Sequence, residues 1–349
     1  MEIVIAILAF CVIIIIHELG HFTAAKLCGI QVNEFALGMG PVIFRKQGKE
    51  TAYVIRLLPI GGSVSMEGED SESDNPRAFN RKPVWQRMIV ILAGAIMNLI
   101  LGYFVVMLSL GISDAVPTTV ISGFREQSVS MQQLKVGDEI KSINGLPIFT
   151  SSDIVYKIQS SDVKNEQGNL IYDFVVVRNG ETITLNDVEL MTRANEDGTS
   201  SVYFDFTVEP MEKNFINLVT ESFKESVSTG RLIIMSLIDM IGGRYNINDL
   251  SGPVGVVDVV AKSVGIDPSL FFSIVSLITI NVGVFNLLPI PALDGCRFLF
   301  LVIEAIRRKP LKPEVEGMVH FIGFALLMIL MLVVTFNDIS RLITGGGGV

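Results

Sequence analysis

The sequence predicts a polytopic α-helical membrane protein of about four transmembrane helices, with a membrane-associated β-hairpin and an inserted α+β domain. Three observations predict it. Half of the 349 residues are apolar and the mean hydropathy is positive. Four runs reach the roughly 20 residues needed to cross a hydrocarbon core of about 30 Å. Between the second and third runs lies a longer stretch of soluble composition, enough for one domain. The formal charge of −9 argues against a nucleic-acid partner.

The first run is Ile3 to Leu27, in segment 1–28. It lacks a basic region before the apolar stretch and no A-x-A-like site follows, so it reads as a retained helix, not a signal peptide. Within it stands His17-Glu18-Leu19-Gly20-His21, which holds two of the chain's three histidines. On a helix, positions i and i+4 share a face, so both imidazoles can address one metal ion. Glu18 projects about 100° round from His17, where it can act as general base. This is the H-E-x-x-H pattern of zinc hydrolases. Ionisable groups inside a membrane span are rare and usually functional, which strengthens the reading.

Segment 29–87 contains two β-like runs, Pro41 to Arg45 and Thr51 to Leu58, joined by the hairpin signal Lys46-Gln47-Gly48-Lys49. Leu57-Leu58-Pro59-Ile60-Gly61-Gly62 is apolar and glycine-rich. It can dip into a membrane only where it lines protein or water. Glu67 to Asp74 reads as an acidic, mobile connector. The second run, Met88 to Ile112, carries Gly94-Ala95-Ile96-Met97-Asn98. Small residues allow close helix packing. Asn98 leaves two roles open, an interhelical bond or a substrate contact.

Residues 115–210 form the inserted domain. Thr119 to Ser122, Glu139 to Ile143, Tyr172 to Val177 and Thr182 to Leu185 read as short strands, with Gly137-Asp138 and Asn144-Gly145 as turns. Asp153 to Gln159 reads as a helix capped by Ser152 or Asp153. Segment 214–269 is amphipathic. Its apolar run Leu232 to Ile241 is too short to span and reads as an interfacial helix.

The third run, Leu270 to Ala292 in segment 270–295, carries Asn281 and Asn286 and ends in Pro289-Ile-Pro291-Ala-Leu-Asp294-Gly295. Two prolines so close cannot sit in regular helix, so the chain opens there and aims Asp294. Two imidazoles leave a catalytic zinc one short of its usual three protein ligands, and Asp294 is the best-placed carboxylate for the vacancy. Residues 296–317 read as a cytoplasmic loop and 318–337 as the fourth span, with His320 an interfacial histidine at its start. Cys11, Cys28 and Cys296 show no CxxC spacing and read as small buried hydrophobes.

Basic residues set the orientation. Arg45, Lys46, Lys49, Arg56, Arg77, Arg81, Lys82 and Arg87 lie between the first two spans. Arg297, Arg307, Arg308, Lys309 and Lys312 lie between the last two. The positive-inside bias makes that side cytoplasmic and puts both termini and 113–269 outside. His17 then sits roughly 20 Å along its helix, inside the bilayer and nearer the cytoplasmic face.

Together these residues resemble the site-2 proteases, membrane-embedded zinc metalloproteases of regulated intramembrane proteolysis, and more narrowly the bacterial regulator-of-sigma-E protease type. The match rests on His17 to His21, Gly94 to Asn98, Asn286 to Gly295 and an insert that resembles a PDZ domain at Leu134 to Gly145. Ser251-Gly-Pro-Val-Gly255 resembles a further segment of these proteases. The resemblance implies Zn²⁺ held by His17, His21 and Asp294, with Glu18 as catalytic base. It implies that Asn286 holds the substrate backbone, and that the hairpin 41–66, with Gly61 and Gly62, receives substrate as an added strand. Cys296 stands where a second glycine often follows the Asp-Gly pair, and the insert has room for one PDZ domain where some relatives carry two.

The expected activity is hydrolysis of a peptide bond within a transmembrane helix of a membrane protein, in the cell's cytoplasmic membrane. The lipid bilayer is a partner, and the PDZ-like domain lies outside, either as a steric filter over the site or as a binder of peptide ends. The rival readings are an inactive PDZ scaffold and a metal transporter. An intact Glu18 opposes the first, and the lack of an inverted repeat opposes the second. Zinc content together with proteolysis of a model substrate separates the three.

Overall fold

The computed structural model describes residues 1–69, 73–160, 163, 169–190, 192–194, 200–202, 204–244 and 251–344. In chain order the helices are α1 (Glu2–Leu27), α2 (Val84–Ile112), α3 (Ser151–Gln159), α4 (Phe215–Ile241), α5 (Pro253–Ile266), α6 (Pro268–Leu287), α7 (Asp294–Arg307) and α8 (Pro313–Thr344). The strands are β1 (Val32–Gln47), β2 (Ala52–Met66), β3 (Pro117–Phe124), β4 (Glu139–Ile143), β5 (Leu146–Pro147), β6 (Leu170–Arg178), β7 (Glu181–Leu190), β8 (Thr192–Ala194), β9 (Ser200–Val202) and β10 (Phe206–Pro210). Two compact units result, Met1–Val105 with Ser236–Val349, and Val106–Met235.

In the first unit, α1, α2, α6 and Glu314–Ser340 of α8 are long and apolar enough to cross a membrane. Their side chains are mostly exposed within the chain, as lipid-facing helices require. α6 starts with Pro268 at its first turn, and the Asp267 carboxylate accepts from the Ser269 N–H at 2.9 Å. It stops at Leu287, five residues before the expected end. Leu288 precedes Pro289 and is held extended at ψ 144°.

The expected loop over 296–317 is helical in its first half. The charged residues Arg297, Glu304 and Arg307 hide the apolar face of α7, which packs Phe298 and Leu301 into the cluster of Ala25, Ile30, Val90 and Ile91. The apolar stretch Leu232 to Ile241 is likewise only the last part of α4. The preceding Thr, Ser, Glu and Lys residues form its polar face, and Ile216, Phe223, Val227, Ile234 and Ile238 continue the exposed apolar stripe at helical spacing. The residues Ser251 to Gly255 open α5. There the Asp338 carboxylate of α8 accepts from the N–H groups of Gly252 (3.1 Å) and Gly255 (2.8 Å).

The hairpin is longer than the two β-like runs, and it is bent. Glu34 to Leu37 face Ser65 to Gly62 on one side and Ala52 to Ile55 on the other, while Phe44 to Gln47 face Ile55 to Ala52. Two strands thus make four sheet segments. The Gln47 end and the Gly62–Met66 segment are the outer edges. The bends need positive φ, which Gly38 (+84°) and Gly61 (+82°) supply. Glu67, expected in a mobile connector, is tied down. Asn33 donates to its Oε2 at 2.8 Å and Ser73 to its Oε1 at 2.6 Å, and these bonds hold its carboxyl below the usual range. Residues 70–72 of that connector lie outside the described residues.

The second unit is an antiparallel sheet of order β10-β3-β4-β6-β7, with β5 beside β4. Alternate residues of β6, Leu170, Tyr172, Phe174 and Val176, are all buried and form the core with Ile121, Leu134, Ile140, Ile143 and Ile158. α3 begins two residues earlier than expected. Its cap is Thr150, not Ser152 or Asp153, and Asp153 returns the bond in a capping box. Asp153, wholly buried, also pairs with Arg231 of α4 at 2.6 Å.

Candidate metal centre

The site is built where α1 meets α2 and the start of α7. Gly20 of α1 lies against the α2 backbone: a Cβ there would sit 2.4 Å from the Ala93 carbonyl oxygen. Gly94 of α2 lies under the imidazoles, and a Cβ on it would be 2.3 Å from His21 Nε2 and 2.8 Å from His17 Cε1. Only glycine leaves room for the two rings between helices this close.

His17 Nε2 and His21 Nε2 are 3.2 Å apart, and Asp294 Oδ2 lies 3.1 Å from the first and 3.2 Å from the second. The structure therefore brings together the three residues expected as ligands, although Asp294 lies 273 positions beyond His21 in the sequence. Their electronics call for a cation. His21 Nδ1 lies 2.9 Å from the Val90 carbonyl oxygen, which only accepts, so Nδ1 carries the proton. In a neutral imidazole the Nε2 then bears a lone pair, and it faces a carboxylate oxygen and a second imidazole. Lone pairs converging within 4.8 Å repel one another unless a cation lies between them, and one metal ion can meet all three atoms at once. A His₂-carboxylate set is also what zinc hydrolases use.

Asn98 is fully buried beside His17, with its amide 3.3 Å from Nδ1. A His17 that offers Nε2 to a metal must donate from Nδ1, so the amide has to present its oxygen there. That choice also satisfies the Asn98 carbonyl, otherwise a buried oxygen without a partner. Asn98 is thus packed behind an imidazole, a place that the sequence left open.

Of the other residues singled out, Gly62 stands beside the site: a Cβ there would be 2.7 Å from Glu18 Cγ. Gly61, its neighbour, packs against Met39. Asn286 donates to the Val282 carbonyl one turn back at 3.0 Å. Two ion pairs that no local sequence pattern signals brace α7. Arg87 of α2 meets both oxygens of Glu304, at 3.0 and 2.5 Å, and Arg297 pairs with Glu69 beyond β2. Opposite charges more than 200 residues apart carry no local signature.

A polytopic fold with a His-Glu-x-x-His helix and a converging carboxylate defines a membrane metallohydrolase. The comparisons give the family. Residues 5–330 match the model of peptidase family M50, and the chain belongs to that family. It is 32% identical to the regulator of sigma-W protease of Bacillus subtilis, over 96% of this chain and 97% of that one. It is 32% identical to a zinc metalloprotease of Shouchella clausii, over 95% and 97%. A Clostridium acetobutylicum protein provisionally named a zinc metalloprotease is 38% identical over 97% of both chains. The Bacillus alignment extends over 420 residues, so that relative carries insertions that this 349-residue chain lacks.

Proposed function

We propose that the chain is an intramembrane zinc endopeptidase that cleaves transmembrane segments of membrane proteins, such as anti-sigma factors or signal-peptide remnants. The observation that carries this reading is the convergence of His17, His21 and Asp294 on one point, with Glu18 on the same helix. Zn²⁺ bound there supplies Lewis acidity and makes hydroxide available near neutral pH. Glu18 takes the proton of the attacking water and passes it to the leaving amine. Val90 and Asn98 hold the two imidazoles in the tautomer that leaves Nε2 bare.

A helical substrate has its carbonyls occupied by its own backbone bonds and must unwind to be cut. Pairing with a sheet edge offsets that loss. The Gly62–Met66 segment pairs only with β1 among the described residues, and Gly62 touches Glu18. This supports strand addition at Gly61 and Gly62, with Asn286 steadying the substrate backbone. The bilayer covers the four apolar helices in the cytoplasmic membrane, and the second unit is a PDZ-like domain on the outer side that filters substrates.

The test is cleavage of a single-span membrane protein by purified enzyme, with zinc measured in the same sample. One equivalent of zinc and cleavage within the span are expected. Full zinc occupancy without cleavage of any of a panel of such substrates would overturn the reading.

A further inference from the structure

The α6–α7 connection, Leu288 to Leu293, decides where Asp294 points, and its backbone bonds are few. Pro289 and Pro291 have no N–H. Ile290 N–H bonds to Leu288 O at 2.7 Å and Leu293 N–H to Ile290 O at 3.1 Å, both inside the turn. Leu288 N–H bonds back to Phe285 O of α6 at 3.0 Å, which leaves the N–H of Ala292. This residue has φ +74°, a left-handed conformation that a residue with a Cβ rarely adopts unless its surroundings impose it.

The surroundings that impose it come from α8. His320 Nδ1 accepts the Ala292 N–H at 3.0 Å, across 28 residues of sequence. The ring stands edge-on to Phe300 of α7, with centroids 5.7 Å apart. One turn along the same face, Gly323 meets Pro291 so closely that a Cβ on it would be 2.1 Å from the proline Cβ. α8 is the least buried of the four membrane-spanning helices, yet it makes backbone-range contact at this turn.

We infer that His320 is a positioning residue for Asp294, and that α8 acts through His320 and Gly323 as a clamp on the turn that presents this ligand. The inference rests on the zinc reading of the site. Without the clamp, Ala292 relaxes to negative φ, the first turn of α7 shifts, and the Asp294 carboxylate leaves the imidazoles. A partner that orients a ligand typically affects metal affinity by about 10–100-fold.

The experiment measures zinc stoichiometry and the rate of zinc release to a chelator in the purified full-length chain. His320→Phe keeps the ring against Phe300 and removes the acceptor. It should release zinc at least about tenfold faster than wild type. His320→Asn, whose side-chain oxygen reaches the place of Nδ1, should restore slow release. Ala292→Gly removes the penalty at positive φ and should rescue His320→Phe in part. If His320→Phe does not accumulate, Gly323→Ala, which pushes on Pro291, carries the same expectation. Wild-type release rates in His320→Phe, or in Gly323→Ala where that variant stands in, would overturn the inference. A wild-type chain that binds no zinc would instead overturn the reading of the site.

Discussion

Gly94 of α2 lies directly under His21 of α1, so that a single methyl group on it would reach within 2.3 Å of the imidazole Nε2. Gly94→Ala should therefore drive the imidazole out of the site and reduce zinc content to well under half. Gly111→Ala is the control, since its Cβ would meet nothing nearer than 3.8 Å. Elemental analysis of both purified variants checks this, and equal zinc in the two would mean that the helices yield.

Glu18→Gln should keep the fold and the zinc while turnover falls by several orders of magnitude, because the amide takes no proton. Cleavage within roughly tenfold of wild type would remove Glu18 from the role of base.

Asp294→Ala should lower zinc occupancy and leave membrane insertion intact, since among the described residues the carboxylate's ion-pair contacts are the two imidazoles. Zinc that stays stoichiometric and resists a chelator would point to a different third ligand.

The outer edge of β2, which pairs only with β1 among the described residues, makes a paired prediction. Successive N–H groups along a strand point to opposite edges. Proline placed at Ser63 and at Val64, one at a time, removes a donor from the outer edge in one case and from the bond to β1 in the other. One variant should lose cleavage of a full-length membrane substrate while retaining zinc and the fold. Full activity in both would leave the edge without a role.

In the second unit, Asp138 is wholly buried. Burial pushes its carboxyl up, but Arg178, at 2.7 and 2.8 Å, and the Lys135 N–H, at 2.9 Å, outweigh it and hold it below the usual carboxylate range. A depressed folded value adds stability that is complete above the ordinary carboxylate range and lost as pH falls below it. Arg178→Gln leaves the charge unpaired and should cost roughly 3–5 kcal/mol at neutral pH. Amide exchange in β4 and β6 of the full chain, at pH 7 and at pH 3, reads both effects. A variant as well protected as wild type at pH 7 would refute the assignment.

The sequence alone determined what is local or periodic. Four apolar runs, the i, i+4 spacing of His17 and His21, the Pro289 and Pro291 break before Asp294, and the short strand at Tyr172 to Val177 each follow from backbone geometry within a few residues. Tertiary structure decided what depends on approach between distant segments. It placed Asp294 against the imidazoles, Asn98 behind His17, Gly62 against Glu18 and His320 under Ala292. It also revealed α7 as a helix, because a face buried by another helix cannot be told from a polar loop until that helix is in place. The physical reason is that sequence records each residue's own preferences, whereas a metal site depends on atoms meeting within about 3 Å across helices whose packing no local pattern encodes.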